Sequence, residues 1–193
     1  MFKKSRYVGL LSLAFFFSNA INAQTNTNTN SDKAQWPTTL STFQQQNELK
    51  VVGNAIFSVL FWDLYKSELS TSSGKYPQSS KHDNLIYKID YLKDVTAVDL
   101  VDYTIEQWQH LTVSEQQYTD YLPQLKAIWP NIKAGDSLAL VVKNNSSAFY
   151  HNGELLGAMD GENFAPLFLD IWLSKETSEP KLREQLLGRI FND

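Results

Sequence analysis

Apolar and polar positions change their period several times along this chain, and each change predicts an element. From Leu49 to Tyr65 the residues are rich in Val, Ile, Phe, Trp and Tyr, which predicts strands, with Gly53 and Asn54 as a kink or break. Leu85, Tyr87, Ile89 and Tyr91 then alternate with Lys88 and Asp90, the pattern of a strand with one wet face. Between Thr96 and Leu111 the period lengthens: Ala97, Val101, Ile105 and Trp108 recur at helical spacing, with Asp99, Asp102, Glu106 and Gln109 elsewhere on the surface. Ser114 followed by Gln117 resembles a capping box. The helix it opens carries Tyr118, Tyr121, Leu122, Leu125, Ile128 and Trp129 on its apolar face, ends at Pro130, and is kinked or delayed by Pro123.

Strands return at Ser137 to Lys143 and around Phe149 and Leu155. Asn144-Asn145-Ser146-Ser147 joins the first pair, and Asn152-Gly153 is a two-residue hairpin signal. Phe164, Leu167, Phe168, Ile171 and Trp172 follow at i, i+3, i+4, i+7, i+8 and place one apolar stripe on a helix, with Asp160 as its expected cap and Pro166 in its first turns. A second helix is expected to start from Ser178, to hold Glu179 and Pro180 in its first turn, to bury Leu182, Leu186 and Leu187, and to stop at Gly188. Clustered strands alternating with clustered helices predict an α+β fold in which helices cover one face of an antiparallel sheet.

The N-terminus sets the expected compartment. Lys3, Lys4 and Arg6 precede an apolar run from Val8 to Phe17, and small residues follow at Ser18, Ala20 and Ala23, so residues 1–23 read as a secretory signal peptide cleaved after Ala20 or Ala23. The apolar run is too short to span a bilayer, so no stable membrane anchor is expected after cleavage, and a periplasmic location follows. Residues 24–35 form a flexible polar lead, leaving residues 36–193 as one domain. The chain has no cysteine, which excludes disulfides, thiol catalysis and thiolate metal sites. Without Lys3, Lys4 and Arg6 the chain holds 14 basic against 21 acidic residues, a formal charge of −7, so nucleic acid is not an expected partner.

Little in the sequence points to catalysis. No G-x-S-x-G elbow or phosphate-binding glycine loop occurs, and His82, His110 and His151 lack the spacing of a metal site, so neither metal nor cofactor is expected. Asp63 has two readings, a desolvated acid or base within an apolar run and a solvated carboxylate at a strand end. Trp62, Trp108, Trp129 and Trp172 are candidates for lining a pocket as well as filling the core.

GNAIFSVLFWDLYKSEL, IDYL, IEQW, IWP, GDSLAL, FYHNGELLG and FLDIWLSKETSEPKLREQLLG, in this order, resemble the chalcone isomerase-like family, in particular its secreted bacterial branch, over most of Leu49 to Gly188. That resemblance implies an open-faced β-sandwich with an apolar cleft between sheet and helices. It implies two uses for such a cleft, closure of a flavonoid ring or binding of a fatty acid. It also implies an anion-holding arginine just before the first strand, but Asn47 occupies that position, and the arginines beyond the leader are Arg183 and Arg189. Tyr118 matches the family's ketone-polarising tyrosine and Ser58 its accompanying hydroxyl, whereas Leu125 and Ile171 stand where an asparagine and a hydroxyl would be expected. Phe57, Ser58, Leu60, Tyr118 and Trp172 are thus the expected ligand-binding residues, with Tyr118 the candidate for catalysis. A noncatalytic binder of a small apolar ligand, fatty-acid-like or aromatic, is the leading expectation. An envelope interaction module with a closed cleft and an isomerase of chalcone-like substrates are the alternatives, and the oligomeric state stays open.

Overall fold

The first apolar run folds back on itself. Strand β1 (Lys50–Val59) passes through Leu60 and Phe61 and returns as β2 (Trp62–Thr71), so the break lies at the tip of a hairpin and not at Gly53 and Asn54. Gly53 is instead buried in β1 where the register shifts, and the end of a helix lies against it. The computed structural model describes residues 35–77 and 83–189. The leader, the polar lead as far as residue 34, and His82 lie outside the described residues.

Strand β3 (Leu85–Tyr91) pairs with β2. After the helices α2 (Ala97–His110), α3 (Glu115–Tyr118) and α4 (Leu122–Ile128), the sheet resumes with β4 (Ser137–Lys143), β5 (Ser146–His151) and β6 (Glu154–Met159). Among the described residues the six strands are antiparallel to their neighbours and lie side by side in chain order. The Asn152-Gly153 hairpin has the two positive φ values, 51° and 85°, that its type of turn requires. Helices α5 (Phe164–Leu173) and α6 (Pro180–Leu186) close the chain.

Alternation sorts the strand residues onto two faces. Leu85, Tyr87, Ile89, Leu138, Leu140 and Phe149 face the main core with α2 to α6, while Ile86, Ala139, Val141, Ala148 and Tyr150 face the other way. A short helix without a strong local signal in the sequence, α1 (Leu40–Gln46), covers this second face through Leu40 and Phe43. Thr39 caps it by accepting from Thr42 N, at 3.2 Å. The β3 strand therefore has less of a wet face than expected, because Ile86 is buried beneath Phe43 and its neighbours.

Several expected punctuation marks are displaced. Gln117 accepts from Ser114 N at 3.0 Å as in a capping box, but Pro123 divides the following helix, with a 3₁₀ turn at Thr119–Tyr121 before α4. Asn163, not Asp160, stands at the start of α5, and Glu179, not Ser178, at that of α6. Ser178 instead donates from its hydroxyl to Gln107 on α2, at 2.8 Å. The free carbonyls ending α5 are met from outside: Ile171 O accepts from Thr177 Oγ1 at 2.6 Å and Leu173 O from Arg183 Nε at 2.9 Å. Among the described residues no helix is long and apolar enough to cross a membrane.

Candidate functional site

Register places three aromatic rings in a row across the first three strands. Phe57 opposes Tyr65, and Tyr65 opposes Tyr91, with ring centroids 5.1 and 6.1 Å apart. Beside them Tyr87 meets Trp172 of α5 at 4.7 Å, and Trp172 meets Phe168 at 5.2 Å. The sheet and helices separate along this line. A cavity of about 420 Å³ opens between them, floored by β1 to β5 and roofed by α2 and α5. That volume falls within the range of small-molecule sites, and aromatic and aliphatic walls dominate it.

The phenols of Tyr65, Tyr87, Tyr91 and Tyr103 share its lining with the polar side chains of Thr104, Gln107 and Ser178. Trp172 Nε1 donates to the Tyr65 hydroxyl at 2.9 Å, fixing both rings. Burial pushes the Tyr65 phenol up to about 12, against a smaller lowering from the Trp172 N–H, and Glu179 adds to the rise. Burial raises Tyr91 and Tyr87 as well. These tyrosines are therefore neutral across the physiological range, suited to hydrogen bonding and not to acting as phenolate bases. Tyr87 Oη and Trp129 Nε1 are buried with no hydrogen-bond partner among the described residues. The nearby Ser67 leaves the Tyr87 hydroxyl unpaired, because its own hydroxyl donates to Ala55 O at 3.5 Å.

The rim is charged, with acid in excess. Asp94, Glu106 and Glu179 line it together with Lys93, and among the described residues Lys93 is its one cation and no arginine belongs to the lining. Asp94 is held below the usual carboxylate range first by its bond from Ala134 N and then by Lys133, each at 2.9 Å. Lys93 Nζ lies 4.7 Å from the centre of the Trp62 ring.

The residues anticipated from sequence divide between this cavity and other parts of the fold. Phe57 and Trp172 line it, as does Trp129. Ser58 is exposed on the outer side of the hairpin and donates to Asp63 Oδ1 at 2.6 Å, which also makes Asp63 a solvated carboxylate. Leu60 stands at the hairpin tip, away from the lining. Tyr118 is buried outside the cavity, stacked on Trp108 with centroids 5.2 Å apart, while Trp108 Nε1 donates to Leu167 O at 2.9 Å. Asn47 ends α1, donating to Phe43 O and accepting from Asn84 Nδ2, both at 2.7 Å, so it plays no part in the lining. Tyr65, Tyr87, Tyr91 and Lys93 belong to the site without having been anticipated. The alternation of Leu85 to Tyr91 already put Tyr87 and Tyr91 on one face and was the signal available for them.

Comparison with known proteins agrees with this architecture. The family model described as chalcone isomerase-like matches residues 28–188. An uncharacterized protein of Haemophilus influenzae is 23% identical over 138 residues, covering 72% of this chain and 67% of the relative. The crystal structure of an Arabidopsis thaliana fatty-acid binding protein superposes with a TM-score of 0.58 at 11% identity, covering 79% of this chain and 90% of that one. At that identity the likeness concerns the fold.

Proposed function

This chain belongs to the chalcone isomerase-like family, and from that premise we propose that its cleft binds a small apolar ligand, fatty-acid-like or aromatic, without converting it chemically. The observation that carries this reading is the cavity of about 420 Å³, walled by aromatic residues of both layers. The fatty-acid binding protein that shares the fold supports the same class of ligand. Against conversion stands the distribution of polar groups. Tyr118 is stacked in the core, the buried tyrosines are held neutral, and among the described residues no arginine borders the space in which a phenolate would have to be stabilised. An open cavity also leaves the closed-cleft interaction module without its premise. The basic, apolar and small-residue pattern of residues 1–23 supports action in the periplasm after export.

Titration with a long-chain fatty acid and with a flavonoid, followed by tryptophan fluorescence, tests the proposal. Saturable binding of one of them at one site per chain is expected, weakened by Leu140→Trp, which fills the cavity from β4. No saturation with either probe, together with native mass spectra free of any co-purified small molecule, would overturn the binding role. Chalcone cyclisation above the spontaneous rate would overturn its noncatalytic character.

A further inference from the structure

The tip joining β1 and β2 carries three consecutive large apolar residues, Leu60, Phe61 and Trp62, exposed to 87, 96 and 63%. Such a run costs solubility unless something covers it. The tip is also built, not frayed. Val59 pairs with Trp62, and Ser58 ties the base to Asp63. Leu60 has a φ of 56°, in the left-handed region that glycine or asparagine adopts far more readily. A leucine there, with its side chain in solvent, adds nothing to the core.

The size and surroundings of the tip select its occupant. Three side chains offer about 500 Å², below the ~800 Å² per partner of a standard protein interface, so two tips do not make a stable dimer. A bilayer surface needs only a few inserted side chains. Trp62 with Lys93 Nζ over its ring is the pairing of aromatic body and cation that suits the boundary between acyl chains and phosphates. The chain as a whole is acidic, with a formal charge of −4, so insertion and not attraction to anionic lipid must hold it. Phe57, Leu64 and Lys93, which flank or touch the tip, also line the cavity. We propose that the β1–β2 tip inserts into the surface of a bilayer of zwitterionic lipids, setting the mouth of the cavity against it. Its use for loading the cavity rests on the ligand binding proposed for the cleft, whereas the docking itself does not.

Sedimentation with phosphatidylcholine vesicles tests the docking, using the exported protein with its leader removed, as the parent and with Phe61→Asp or the milder Phe61→Ser, so that the apolar run of residues 8–17 binds no vesicle in any sample. Both substitutions are at an exposed side chain and should leave circular dichroism unchanged. Phe61→Asp should lower the vesicle-bound fraction about tenfold or more, with Phe61→Ser between it and the parent. Brominated acyl chains should quench the parent's fluorescence and do so less in Trp62→Phe. Absence of vesicle binding by the parent, equal partition of all variants, or a parental dimer that Phe61→Asp dissociates would each overturn the proposal. Fatty-acid and flavonoid titrations without vesicles should be the same for Phe61→Asp and the parent. A failure confined to those titrations would strike the ligand reading and leave the docking standing.

Discussion

Gly53 of β1 and Gly188 after α6 approach each other backbone to backbone. A Cβ on Gly53 would stand 2.8 Å from Gly188 N and 2.2 Å from Gln185 O, and one on Gly188 would stand 2.4 Å from Val52 O. The last turn of α6 is thereby seated on the edge strand, with Gly188 in the left-handed conformation, at a φ of 69°, that ends the helix.

Gly53→Ala should therefore displace α6 and destabilise the protein by about 2–4 kcal/mol, since backbone has to move on both sides. Urea unfolding measures the loss, and limited proteolysis should show new cleavage after α5 before the rest of the chain is attacked. An unchanged midpoint would mean that this seam is loose in solution.

Tyr65→Phe and Trp172→Phe remove opposite ends of one hydrogen bond of 2.9 Å. Each should cost about 1–2 kcal/mol, and the double variant should cost less than the sum because neither partner is then left alone. A strictly additive pair in a double-mutant cycle would show that the bond contributes nothing.

Burial of the tyrosines makes stability fall at alkaline pH. Tyr65 ionises near its ordinary value of 10.0 when unfolded and only at about 12 when folded. Its contribution is complete below pH 10 and disappears as the pH climbs through that window, because the unfolded chain then loses protons that the folded one retains. For Tyr65 the loss is on the order of 2 kcal/mol, allowing for the partial access that the cavity gives its ring. Denaturant midpoints measured from pH 9 to 12 should fall, and should fall less in Tyr65→Phe.

Phe43 is fully buried between α1 and the outer sheet face, its ring 6.4 Å from Trp36. Phe43→Ala should cost about 3–4 kcal/mol and expose amides of α1 to hydrogen exchange, while fatty-acid and flavonoid titrations keep the parental midpoint because the cavity lies on the other face. A shifted titration midpoint would show that the two faces communicate.

Legibility from sequence followed the strength of local patterns. The 3.6-residue stripe of Phe164 to Trp172, the period-two run of Leu85 to Tyr91 and the Asn152-Gly153 turn each specify an element through neighbouring residues alone, and each element formed there. The β1–β2 turn was harder, because Leu60 and Phe61 are apolar and imitate strand. α1 was missed because only Leu40 and Phe43 are apolar in it, and its helix depends on the sheet face that they cover. The cavity was only half legible: Phe57 and Trp172 come from apolar runs that were recognised, but Tyr65 reaches Trp172 across a long sequence separation that no spacing rule records. Tyr118 and Ser58 looked like site residues by residue type and position. Tertiary packing put one beneath Trp108 and turned the other to solvent.

Because strand order follows chain order, every neighbouring pair but one joins strands that are close along the sequence. The exception is β3 with β4, whose pairing must enclose α2, α3 and α4 before its hydrogen bonds can compensate the lost freedom of that long loop. The seam between Tyr87 and Leu140 is accordingly where the search for the native state is slowest. Leu140→Ala should retard refolding more than Ala55→Gly in the outer hairpin does for the same loss of equilibrium stability. Since Tyr87 and Leu140 also line the cavity, the last part of the sheet to close is the floor on which the ligand would rest.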